Sequence, residues 1–351
     1  MEVEALLPLG KLDPGVRVAA GGLDITQVAA DAARAEALGY DRILTEETRD
    51  DPFIVMALAA QATRRISLAT AVAVAFPRSP TITAMTAWTL QRLSGGRFIL
   101  GLGSQVRGHI ERRFGVPWSA PGPWLREYVQ ALRAIWDCWQ NGSRLDFQGE
   151  HYKLSLMVPL FAPAPIEHPN IRVELAAVNP YMCQVAGEVA DGIRAHPIAT
   201  PRYIADTMLP AARKGAAKAG RDFSGFAMSA MPLVATAGNR AMLDERVRDV
   251  RSRVAFYAST PAYIAAFEGE GYGEVARRLQ GLARSQCWEE MPGLVDDEML
   301  DRYAVVGTYD EIAGKLRARY EGLVTALEFS MPLADATDEE VLRGVIATLR
   351  L

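Results

Sequence analysis

Histidine is scarce in this chain of 351 residues: His109, His151, His168 and His196 are the only ones, and they are scattered. A barrel hydrolase that builds its metal centre from clustered imidazoles is therefore not expected, and no metal site is assigned. Lysine is nearly as rare. Lys11, Lys153, Lys214, Lys218 and Lys315 all lie away from the ends of apolar runs, which removes a Schiff-base lysine at a strand end. Cys138, Cys183 and Cys287 are far apart and form no CxxC pair, so neither a zinc knuckle nor a disulfide framework is expected, and a reducing cytoplasm is. No run approaches the ~18 apolar residues of a membrane span. Glu2 and Glu4 stand where a signal peptide would carry bases, so a protein neither exported nor embedded is expected. The net charge is only -4, with arginines interspersed among acids rather than gathered in a basic stripe, which argues against a nucleic-acid partner.

What is abundant is apolar material, 50% of residues against 23% charged. Short β-branched runs alternate with longer stretches of helical period, the pattern of repeated βα units around a parallel sheet. Eight strands are predicted, at residues 3–8, 42–45, 66–73, 97–103, 171–177, 192–195, 226–236 and 325–331. Helices are predicted at 25–38, 52–64, 80–93 and 309–320, with a closing helix from near Asp338. Pro52 and Pro80 suit a first helical turn. The expectation is an α/β fold, a single (β/α)₈ TIM-barrel domain over residues 1–351. Its excess over the usual ~250 residues falls in insertions at 105–169 and 259–302, where barrels place substrate-covering segments.

Gly101-Leu102-Gly103-Ser104 follows the fourth predicted strand. As a dinucleotide fingerprint it fails, because Val106 stands where the third glycine belongs. These glycines either let backbone approach a ligand or a neighbouring strand closely, or make a tight strand exit with no ligand. Among the aromatics, Trp136 and Trp139 share a helical face and read as core, whereas Trp118 and Trp124, in a Pro/Gly-rich stretch, are candidates for a substrate wall.

The longer segment Ser94-Gly95-Gly96-Arg97-Phe98-Ile99-Leu100-Gly101-Leu102-Gly103-Ser104 resembles the SGGR-F-x-LGLG-S signature of the bacterial-luciferase-like flavin and deazaflavin oxidoreductases. Thr70-Ala71-Val72 with Arg78-Ser79-Pro80, the segment 186–192 (AGEVADG) and Val306-Gly307-Thr308-Tyr309-Asp310-Glu311 are similar to further family segments, so the resemblance spans nearly the whole chain. It implies a (β/α)₈ barrel and a non-prolyl cis peptide at Ala71-Val72 that backs the ring of the cofactor. It implies cofactor contacts at Glu46 and Ser104 as well. The cofactor phosphate would sit at the helix start Asn179-Pro180-Tyr181-Met182, where free amides and the helix dipole favour an anion, although capping by Asn179 accounts for the same residues. His196 matches a phosphate-contacting position, or is a packed residue at a strand end. His109 lies near where some relatives hold a polar group over the ring, or is a surface helix residue.

One departure bears on mechanism. Several deazaflavin-using relatives carry Asp-His at the end of the second strand and a Glu after the fourth, where this chain has Glu46-Glu47 and Val106. Glu47, with His109, is the candidate catalytic group, a carboxylate able to act as acid or base. The alternative is that one of the two glutamates pairs with Arg49 or Arg42 and the other meets solvent. The resemblance implies an F420-dependent oxidoreductase that transfers a hydride to or from a small organic substrate. The alternatives are an FMN-dependent monooxygenase and a non-catalytic cofactor-binding protein. Relatives commonly pair, so a homodimer is expected.

Overall fold

The computed structural model describes residues 1–10 and 22–351. Eight parallel strands form the barrel: β1 (Glu2–Leu6), β2 (Arg42–Thr45), β3 (Ser67–Thr70), β4 (Phe98–Gly103), β5 (Arg172–Ala177), β6 (Gly192–Ala195), β7 (Ala227–Ala230) and β8 (Ala326–Glu328). Each pairs with its neighbours, β8 with β1, and β3 pairs directly with β4, so the sheet closes on itself. This is the expected TIM barrel. Side chains alternate along β1: Val3 and Ala5 face the outer helices and are fully buried among them, while Glu4 and Leu6 face the barrel interior.

Several helices behind the strands begin with one device. Asp51-Pro52, Ser79-Pro80, Asn179-Pro180 and Thr200-Pro201 each place a capping side chain before a proline in the first turn. The cap oxygen accepts an otherwise orphaned amide, and proline has no amide to leave unpaired. At the closing end of the barrel, Thr308 and Glu311 form a capping box at the start of the helix Tyr309–Tyr320.

Two predicted strands differ from the structure. Residues 66–73 are not one strand: pairing stops after Thr70 and resumes at Ala73–Val74, on either side of a cis peptide bond at Ala71-Val72. Residues 226–236 divide into β7 and a separate strand, Leu233–Ala237, which leaves the barrel and pairs in parallel with Ala304–Thr308. A continuous apolar run shows no change of sheet, so sequence pattern alone joined them. The insertion at 105–169 carries a small hairpin, Phe147–Gln148 with Lys153–Leu154. The one at 259–302 carries the helices Ile264–Gly269, Gly273–Arg284 and Asp297–Tyr303. Among the described residues no helix is long and apolar enough to cross a membrane.

Candidate active site

The carboxyl ends of the strands open into a cavity of about 760 Å³, the size of a cofactor pocket. One wall is the interrupted third strand. Thr70 ties it to β4, its hydroxyl donating to the Gly101 carbonyl at 2.7 Å and accepting the Gly101 amide at 2.9 Å. Strand and strand approach so closely that a Cβ on Gly101 would stand 1.8 Å from the Thr70 carbonyl oxygen. Beyond the cis bond, Ala73 and Val74 pair with Leu102 and Gly103. The Val72 side chain leans over Gly103, where an added Cβ would meet its Cγ2 at 2.6 Å. Both glycines thus serve close approach, one to backbone and one to the side chain that forms the cavity wall.

Glu46 and Glu47 leave the end of β2 and both line the cavity. Glu47 pairs with Arg78, at 2.8 Å, and accepts the Val74 amide at 2.7 Å, rather than pairing with Arg49 or Arg42. Arg78 also reaches Asp51 at 3.1 Å. The Glu47 carboxylate therefore fastens the segment after the cis bond to β2. Arg42 is engaged elsewhere, inside the barrel.

Ser104 lines the cavity at the exit of β4, followed by Gln105 at a φ of 54°. Asn179 caps the helix Pro180–Val189, its Oδ1 accepting the Met182 amide at 2.9 Å. Asn179 and Met182 line the cavity, while the Tyr181 ring turns outward, half exposed, packing on Gly122 beneath the Arg126 guanidinium. His196, just past the adjacent strand β6, lines the cavity as well. His109 is not brought in: it is exposed on the short helix Arg107–Arg112, of which Arg107 and Gly108 reach the cavity wall. The substrate-wall candidates separate too. Trp118 lines the cavity, but Trp124 is buried behind it, stacked on Phe76 at 3.7 Å with its indole N–H donating to the Tyr152 hydroxyl.

Over residues 10–326 the chain matches the luciferase-like monooxygenase family. It belongs to that family. It is 45% identical over 323 residues to an uncharacterized protein of Mycobacterium tuberculosis, covering 92% of this chain and 94% of the other. It is 30% identical over 298 residues, 80% of this chain and 83% of the other, to a protein of the same organism provisionally named as a coenzyme F420-dependent oxidoreductase. Among solved structures, the coenzyme F420-dependent tetrahydromethanopterin reductase from Methanopyrus kandleri superposes with a TM-score of 0.76 over 99% of this chain and 98% of the other, at 20% identity, a likeness of fold. Family members are oxidoreductases or monooxygenases.

Beneath the cavity of this luciferase-like barrel lies a charge network that the sequence reading missed. Arg194 of β6 bridges Glu4 of β1 and Glu174 of β5, at 2.6 and 2.7 Å. Arg42 of β2 bridges the same two carboxylates, at 2.8 and 3.0 Å, and reaches Glu2 at 2.7 Å. Glu4 and Glu174 are fully buried. Burial alone would raise the Glu174 pKa, yet Arg42 and Arg194 hold it below the usual carboxylate range. Arg194 also lines the cavity floor, its charge balanced by the two carboxylates it bridges. The available signal was a charged residue within each of four short strands that are mostly apolar.

Among the described residues no group of three or more His, Cys, Asp or Glu could hold a metal ion. The arrangement offers instead an apolar wall at Ala71, Val72 and Val74, a capped helix start, polar groups at Ser104 and Glu46, and aromatic rings at Trp118, Tyr257 and Tyr263. Such a set suits a flat, partly apolar ring system with an anionic tail and a second molecule beside it.

Proposed function

We propose that this chain is an F420-dependent oxidoreductase acting on a small organic substrate. The observation that carries the reading is the apolar cavity wall of Ala71, Val72 and Val74 beside the Gly103-Ser104 end of the family signature. The 30% identity to a protein provisionally named as F420-dependent supports deazaflavin over flavin. When bound, F420 supplies a ring that carries a hydride, and the protein's part is placement and electrostatics.

Ala71 and Val72 would back the ring, with Val72 held in place by its seat over Gly103. Ser104 and Glu46 would meet the ring's polar edge. At the start of the helix Pro180–Val189, where Pro180 has no amide and Asn179 takes that of Met182, the Tyr181 amide and the helix dipole would meet the phosphate. Glu47, fastened to Arg78 and the Val74 amide, keeps the backing wall in register with β2. Trp118, Tyr257 and Tyr263 would face the substrate and exclude water from it. His109, outside the cavity wall, has no part in this reading.

The test is a side-by-side titration of the purified protein with F420 and with FMN, followed by tryptophan and cofactor fluorescence. Binding of F420 in preference to FMN is expected. Preference for FMN would replace this reading with a flavin monooxygenase, and binding of neither would remove the cofactor altogether.

A further inference from the structure

His196 follows β6, and its ring is held edge-on by Tyr257, at a centroid distance of 4.8 Å, and against Tyr263 at 4.3 Å. Its Nδ1 accepts the Ile198 amide at 3.4 Å. A ring nitrogen that accepts carries no proton, so in the neutral imidazole the proton sits on Nε2. Among the described residues no partner is found for Nε2, and it is not one of the polar atoms sealed away from solvent without a partner. Since His196 lines the cavity, Nε2–H opens into it. Arg253 and Tyr257 from the helix Arg240–Ala258 and Tyr263 from the next turn surround the ring. Burial, reinforced by Arg253, pushes the imidazole pKa down to about 3.

A neutral N–H donor is a weaker phosphate ligand than a cation. A carbonyl or hydroxyl oxygen on an otherwise apolar molecule suits the position better: it accepts one hydrogen bond and needs no counter-charge, while Tyr257, Tyr263 and Met231 offer ring faces and a thioether to the rest. We propose that His196 is a substrate-positioning donor, its Nε2–H holding the oxygen of an uncharged carbonyl compound, or of the corresponding alcohol, at the β6 side of the cavity. The bond orients and polarises that oxygen without surrendering the proton. The substrate class rests on the hydride-transfer reading above, whereas the donor assignment stands on the geometry of this chain alone.

The experiment is long-range ¹H–¹⁵N NMR of the full chain labelled at histidine, in the absence and presence of F420, with His196→Phe to assign the signal. The expected result is a neutral Nε2–H tautomer at pH 7. Acetophenone, used at its solubility limit, is expected to shift the Nε2 resonance and to bind about tenfold more tightly than α-methylstyrene, which has the same shape with a methylene in place of the oxygen. An Nδ1–H tautomer, an imidazolium at pH 7, or equal responses to the two probes would overturn the assignment. Should His196→Phe fail to fold, the comparison of the two probes on the wild-type chain still decides. Failure of F420 to bind alongside the expected tautomer and probe response would remove the cofactor reading and leave the donor in place. Binding of F420 with the wrong tautomer would do the reverse.

Discussion

The Arg78 guanidinium grips both oxygens of Glu47, at 2.9 and 2.8 Å, and Glu47 in turn holds the Val74 amide just past the cis bond. The pair is mostly buried, so removing the negative charge leaves Arg78, among the described residues, with Asp51 as its one ion-pair partner. Glu47→Gln is expected to cost about 2 kcal/mol of stability in urea denaturation and to weaken F420 binding by loosening residues 71–74. Unchanged stability together with unchanged binding would show that the clamp does not hold this wall.

Gly103 and Gly101 separate the wall from the barrel itself. Gly103→Ala pushes a methyl against Val72 Cγ2 and displaces it, so the protein is expected to fold and to bind F420 about tenfold more weakly in fluorescence titration. Gly101→Ala drives a Cβ into the Thr70 carbonyl in the closed sheet, and a loss of about 3 kcal/mol or more is expected in chemical denaturation.

His196 links stability to pH. Its folded-state pKa of about 3 lies below the ordinary 6.5, so between these values the unfolded chain binds the proton and the folded chain does not. Its contribution is therefore level above about pH 6.5 and destabilises the fold progressively as pH falls toward 3, by about 2 kcal/mol from pH 6.5 to pH 5. Urea midpoints measured at both pH values should show this loss in the wild type, and His196→Phe should reduce it. Parallel slopes would show that the ring takes up its proton as readily in the folded protein as in the unfolded chain.

Arg194 neutralises two fully buried carboxylates. Arg194→Met leaves Arg42 as the one direct ion-pair partner of Glu4 and Glu174 among the described residues, and a loss of about 3–5 kcal/mol is expected, read from the urea midpoint. A smaller loss would mean that water enters the barrel and solvates the carboxylates.

Ile54 and Leu58 on the helix Pro52–Ala62, and Ile82, Met85 and Leu93 on the neighbouring helix Pro80–Ser94, are exposed. Two adjacent helices with apolar outer faces suit a self-complementary contact. Sedimentation velocity should report a dimer, and Met85→Glu a monomer with the same thermal midpoint as the isolated fold. A monomeric wild type would remove the dimer expectation.

How far residue order alone reaches is seen at particular positions. The alternation of apolar strand and periodic helix, the Xaa-Pro caps and the glycines of β4 are local signals, because strand period, capping and close approach depend on neighbours in the chain. They sufficed for the barrel and for Asn179 as a cap, whereas the placing of Ala71, Val72 and Ser104 at the mouth rests on the family resemblance. The partners of charged groups were not legible in this way. Glu47 is satisfied by Arg78 rather than by Arg49 nearby, and Glu4 meets Arg194 across 190 positions, because closing the barrel brings together the inward faces of strands remote in sequence. The family resemblance points to His109 near the ring and the Pro/Gly-rich stretch to Trp124 as a substrate wall, yet one faces solvent and the other packs on Phe76. The direction in which a helix or loop turns its side chains is set by what packs behind it, and only the tertiary structure contains that.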